Sequence, residues 1–182
     1  MSVQIVYETH GTTVDNEAGI ATGWLPDELS PEGVRNAEDL GRRRAADQID
    51  VVYSSDLARA VETARIAFAD SGIPVRSDVR LRECNYGDLN GAPRQQLEPR
   101  TRFLTTPFPG GESYQDVVDR TAEFLTGLAR EHQGQRVLLV AHAANRLALD
   151  VLLGGASLAA VVDEPFEWQE GWDYRLVRSW RP

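Results

Sequence analysis

Two histidines follow two apolar, β-rich runs. Val3-Gln4-Ile5-Val6-Tyr7 leads through Glu8 and Thr9 to His10, and Val137-Leu138-Leu139-Val140 leads through Ala141 to His142. Such runs read as inner strands of a parallel sheet, so each imidazole stands just past a strand's carboxyl end. Ligands collect at that edge of an open α/β sheet, where the following helices aim their positive N-termini. If the two strands are parallel neighbours, both imidazoles meet over one crevice. Arg59 adds a cation in the first turn of a helix predicted over Leu57 to Phe68, where the macrodipole disfavours it. A bound anion would explain that placement, and pairing with Asp56 or Glu62 is the alternative. With Glu83 on a loop, the set suits phosphoryl transfer. One imidazole attacks phosphorus, a cation and the second imidazole hold equatorial oxygens, and a carboxylic acid protonates the leaving oxygen.

The elements that must position these groups alternate along the chain. Strands are expected at residues 3–7, 51–53, around Val75 and Val79 to Leu81, at 137–140 and at 174–177. Helices are expected from Ser30-Pro31, with Ser30 as N-cap and Pro31 at the first helical position, from Leu57 to Phe68, from Glu112-Ser113 to Arg130, and from Ala143 to Leu153. This alternation predicts a three-layer α/β/α sandwich with a mainly parallel central sheet. Residues 88–112 are rich in Pro and Gly and lack a clear period. They read as a lid-like insertion with one short helix around Gln95, inside a single domain spanning residues 1–182.

Composition narrows the function classes. The chain has 182 residues, 42% of them hydrophobic, which suits one core. No apolar run approaches a membrane span and no signal-type segment precedes the first strand, so a soluble, cytoplasmic protein is expected. Net charge is −9 and all 19 basic residues are arginine, which disfavours extended nucleic acid as a partner but allows a local arginine cluster to hold one small anion. Without lysine there is neither Schiff-base chemistry nor a Walker-type phosphate loop. The single Cys84 excludes an internal disulfide and a thiolate metal cluster, and reads as a small half-buried filler. Oligomeric state stays open, a homodimer being allowed. The aromatics Trp24, Phe103, Phe108, Phe166, Trp168 and Trp172 either wall a leaving-group pocket or pack the core and lid.

Residue order and spacing also carry a resemblance. Thr9-His10-Gly11-Thr12-Thr13 with Asn16, Leu29-Ser30-Pro31-Glu32-Gly33, and Ser54-Ser55-Asp56-Leu57-Ala58-Arg59-Ala60-Val61-Glu62-Thr63-Ala64 form its first half. Leu81-Arg82-Glu83, Pro109-Gly110-Gly111-Glu112-Ser113 and Val140-Ala141-His142 complete it. Together they resemble the histidine phosphatase superfamily, the phosphoglycerate mutase-like fold, over nearly the whole chain. The resemblance implies that His10 is the nucleophile and forms a phosphohistidine, and that Arg59 and His142 bind the phosphoryl group. Glu83 would act as general acid and then as base for water. It further implies substrate contacts from Thr9, Gly11, Asn16 and Ala143, a small phosphorylated metabolite as partner, and no metal or organic cofactor. Burial of Glu83 near Leu81 and Tyr86 would raise its pKa enough to donate a proton.

Two departures from that family pattern stand out. Its arginine directly before the nucleophile is Thr9 here, removing a contact worth roughly 1.5–3 kcal/mol. Arg146, about one helical turn beyond His142, is a candidate replacement. Thr12 stands where Glu or Gln is usual. Residues 84–108, 25 in all, separate Glu83 from Pro109, which is shorter than in mutases of the family and favours hydrolysis. The expected activity is therefore phosphomonoester hydrolysis. The alternatives are a specialised biosynthetic enzyme using the same His/His/Glu set for other acid–base chemistry, or a catalytically silent binding protein.

Overall fold

The computed structural model describes residues 2–182. Strands β1 (Ser2–Thr9), β3 (Val51–Ser54), β4 (Val75–Ser77), β6 (Arg136–Ala141) and β7 (Trp172–Val177) form one sheet in the order β4-β3-β6-β1-β7. Neighbours run parallel except β7, which pairs antiparallel with β1 at the sheet edge. A second, two-stranded sheet joins β2 (Ile20–Ala21) to β5 (Ala92–Pro93). The helices are α1 (Val14–Ala18), α2 (Pro31–Arg44), α3 (Ala58–Phe68), α4 (Tyr114–Glu131), α5 (Ala143–Leu152) and α6 (Leu158–Val161).

The period-two alternation of the inner strands explains the layers. Ile5, Tyr7, Val51, Tyr53, Val137 and Leu139 point to one face and pack with Phe124, Leu125 and Leu128 of α4 and Leu149 of α5. Val6, Val52, Leu138 and Val140 point to the other, against Leu40 of α2 and Ala60, Ala64 and Phe68 of α3. Both faces of β6 are buried, as its unbroken apolar run requires. This is the expected α/β/α arrangement. Its central consequence is the β1–β6 pairing: Thr9 lies opposite Ala141, so His10 and His142 follow adjacent parallel strands at the same edge.

Local chemistry sets the helix starts. Ser30 accepts from the Gly33 N–H at 3.2 Å with Pro31 next in line, and Ser113 and Asp116 form a reciprocal capping box on α4. The expected strand at Val79–Leu81 is instead a 3₁₀ turn. The reason is Asp78, whose carboxylate accepts from the Arg80 N–H at 2.9 Å and bends the chain after β4. The segment expected to be lid-like holds short 3₁₀ turns, one at Arg94–Leu97, and is tied down by β5 and by buried Leu97 and Phe108. Phe108 stacks with Phe103 at 3.8 Å and meets Tyr114 of α4 edge-on. Cys84, expected to be half-buried, is fully buried in this cluster, and burial pushes its thiol far above the ordinary range.

Candidate active site

The carboxyl edge of the sheet opens into a cavity of about 840 Å³. Thr9, His10, Gly11, Asn16, Arg59, Glu83 and Ala143 all line it. The rings of His10 and His142 are 5.0 Å apart. His10 Nδ1 lies 2.7 Å from the Gly11 carbonyl, so Nδ1 carries the proton and Nε2 keeps its lone pair. Burial, aided by the Arg59 charge, lowers the His10 pKa to about 4. The imidazole is neutral at ordinary pH.

His142 is fully buried and held on three sides. Its Nε2 lies 2.6 Å from Ser55 Oγ, its N–H donates to Asn145 Oδ1 at 3.3 Å, and its carbonyl accepts from the Tyr7 hydroxyl. Burial, then the charge of Arg59 and the neighbouring His10 ring, hold its pKa well below the ordinary imidazole value. Its Nδ1 is buried without a partner, and His142 stands behind His10 rather than in the cavity lining itself. Nothing in the residue type of Ser55 marked it as the group that orients this ring; only the parallel β3–β6 pairing brings it there.

Arg59 is buried at 3% exposure and makes neither of the pairings weighed for it. Asp56 is engaged by Arg82 and Glu62 by Arg65, while Arg59 donates to the Gly23 carbonyl at 2.8 Å. A guanidinium buried without a carboxylate partner has the charge and donors to hold an anion. Glu83 also lines the cavity. One of its oxygens accepts from the N–H groups of Cys84 (2.8 Å) and Ala144 (3.3 Å), while burial raises its pKa against those bonds and the Arg59 charge. Its backbone carbonyl accepts from the Trp24 indole N–H at 2.7 Å and from Arg120 at 2.9 Å, which fixes the loop that carries it.

Other expected positions divide. Ala143 is the first residue of α5 and presents the helix N-terminus to the cavity. Asn16 lines the cavity, with its carbonyl oxygen occupied by the Thr13 N–H at 3.2 Å, leaving its amide donors. Gly11 also lines it, but its N–H is bonded to Thr63 Oγ1 at 2.9 Å. Its role is close approach: a Cβ there would sit 2.4 Å from the Gly33 carbonyl oxygen. Arg146 does not replace the arginine absent at position 9. Its guanidinium pairs with Asp150 at 3.0 Å, lies 5.4 Å from the Trp172 ring, and is not part of the cavity lining. The acidic partner four residues along the same helix turns it away. Of the aromatics weighed as pocket walls, Phe166 and Trp168 border the cavity, joined by Tyr86 and Tyr114; Phe103, Phe108 and Trp172 pack elsewhere. Among the described residues, no cluster of three or more His, Cys, Asp or Glu could hold a metal ion. No helix there is long and apolar enough to cross a membrane.

Comparisons with known proteins bear on the family and the fold. A 2,3-bisphosphoglycerate-dependent phosphoglycerate mutase of Methylobacterium sp. (strain 4-46) is 32% identical over 173 residues, covering 86% of this chain and 83% of that protein. YhfR of Bacillus stearothermophilus superposes with a TM-score of 0.82 at 28% identity, covering 92% of this chain and 88% of that one. A mycobacterial glucosyl-3-phosphoglycerate phosphatase complexed with VO3 superposes with a TM-score of 0.78 at 31% identity, covering 86% of each chain. Residues 9–164 match the histidine phosphatase superfamily, branch 1, and the chain belongs to that family.

Proposed function

We propose that this protein hydrolyses a small cytoplasmic phosphomonoester through a phosphohistidine on His10. The observation that carries the reading is the His10 ring itself, neutral and with Nδ1 engaged by the Gly11 carbonyl, so that Nε2 is a free nucleophile inside a cavity holding a carboxylate-free arginine. In the first step Nε2 attacks phosphorus, the P–O bond to the leaving group breaks, and the protonated Glu83 donates its proton to the departing oxygen. In the second step Glu83 takes a proton from water, the oxygen of that water attacks phosphorus, and the P–N bond breaks to regenerate neutral His10. Arg59 and the free Nδ1 of His142 hold the equatorial oxygens; with the Ser55 hydroxyl donating to Nε2, that Nδ1 bears the proton needed to donate.

A transfer reaction is the second reading, favoured by the mutases among the relatives. Hydrolysis is preferred because the segment between Glu83 and Pro109 is short, and a phosphatase lies among the similar structures at comparable identity. The test is a panel of phosphomonoesters, phosphoglycerates included, assayed for released phosphate and for transferred phosphoryl group. Release by the wild type, abolished in His10→Ala and about tenfold faster on simple esters in Thr9→Arg, supports hydrolysis. Transfer without release would establish the mutase reading, and no turnover with either readout would refute both.

A further inference from the structure

One side of the cavity is built by α2, whose residues Glu32, Asn36, Leu40 and Arg43 fall on one helical face and line it. At the far end of that face lies an ion cluster that the phosphoryl site does not use. Glu8, on β1 two residues before His10, is 2% exposed, and a carboxylate that deeply buried must be compensated. Arg43 meets it with Nη1 at 3.0 Å and Nη2 at 3.4 Å, and Arg44 meets it with Nε at 2.9 Å and Nη2 at 2.6 Å.

The two arginines differ in what they have left. Arg44 has every guanidinium nitrogen engaged, since it also bonds Asp47 at 3.1 Å and the Glu170 carbonyl at 2.8 Å. Arg43 bonds Glu8 alone among the described residues, so its Nε–H and the outer N–H beside it have no protein acceptor. That is the edge with which Arg82 grips Asp56 elsewhere in this molecule, at 2.7 Å from Nε and 2.5 Å from Nη2. Arg43 borders the cavity, and the Trp168 ring, also in the lining, lies 5.9 Å from its guanidinium carbon. Strand rise puts the Glu8 backbone about 6–7 Å from that of His10. Arg43 therefore borders the same cavity as His10 and Thr9, anchored to a residue two positions before the nucleophile.

We propose that this side of the cavity is a carboxylate subsite. Arg43, anchored by buried Glu8 and bordered by Trp168, receives through its Nε–Nη2 edge a carboxylate carried by the leaving group, a few bonds from the phosphorus held at His10. The inference rests on the phosphomonoester reading for the His10 end of the ligand.

The test is calorimetric binding of phosphonopropionate against propylphosphonate, a pair matched in length and differing in the carboxylate. Wild type should bind the carboxylated member about tenfold more tightly. That ratio should fall toward one in Arg43→Gln and in Arg43→Lys; the lysine variant retains a cation for Glu8, so its fold is secure, but it lacks a second planar edge. A ratio near one in wild type, a ratio kept in Arg43→Lys, or a ratio lost instead in Arg94→Gln, which removes another arginine of the cavity lining, would overturn the subsite. Hydrolysis of p-nitrophenyl phosphate, measured in parallel, separates the two readings. Turnover with a ratio of one, or with neither phosphonate bound, removes the subsite alone; a tenfold ratio without turnover removes the phosphatase reading alone; and the absence of both turnover and binding removes both.

Discussion

His10 and Glu83 are shifted in opposite senses by the same burial, because desolvation disfavours whichever form is charged. His10 must be unprotonated to attack, so the rate should rise as pH increases through about 4. Glu83 must be protonated to donate, so the rate should fall as pH increases through its raised pKa. A pH profile of kcat/KM on an alkyl phosphate should be bell-shaped between those limits, and Glu83→Gln should lower kcat by about a hundredfold or more. A profile flat above neutrality would refute the acid role. Ser55 acts on the reaction through His142. Removing its hydroxyl in Ser55→Ala should lower kcat about tenfold by releasing the ring, and Ser55→Thr should restore most of the loss. The two histidines were legible from sequence because each follows an apolar β-rich run. Ser55 was not, since its contact spans 87 residues and depends on strand order. Arg146 was misplaced because Asp150, one turn along the same helix, competes for it.

Helix α2 and the loop after β1 meet backbone to backbone at Gly33, beside the bonds that Thr12 makes to the Asn36 side chain. A Cβ on Gly33 would lie 1.9 Å from the Thr12 carbonyl oxygen, and one on Gly11 would lie 2.4 Å from that of Gly33. Gly33→Ala must therefore push α2 off the nucleophile loop. It should destabilise the protein by about 1–3 kcal/mol and depress activity further than stability alone explains, which denaturant unfolding and kinetics on the folded fraction can separate. The order and layering of the major elements were readable from period and capping, and Ser30-Pro31 marked the start of α2 correctly. The small elements were not. β2 and β5 are two residues each and pair across most of the first half of the chain, while Val79–Leu81 has strand-like residues overruled by the Asp78 cap. Arg43 escaped notice for a related reason. A cation near the end of a helix reads as an ordinary response to the dipole until the fold shows its buried partner on β1.

The whole molecule carries a net charge of −9, and its cavity is bordered by Arg43, Arg59, Arg94 and Arg100 together with Glu8, Glu32, Glu83 and Glu98. Long-range repulsion disfavours polyanions, while Arg59, buried without a carboxylate partner, offers local attraction to a small compact anion. A tightly bound oxyanion should stabilise the fold by mass action. Vanadate at a hundred times its dissociation constant should add about 2.7 kcal/mol, raising Tm by roughly 5–10 °C for a domain of this size, and an unchanged Tm would argue against an anion site. The Trp24 indole, bonded to the Glu83 carbonyl and lying 4.6 Å from the Arg82 guanidinium, has an implication of another kind. An indole so fixed emits light whose colour follows the local electric field, so the protein contains an optical gauge one peptide unit from its acid. The filling of the cavity could be followed in real time without attaching any dye.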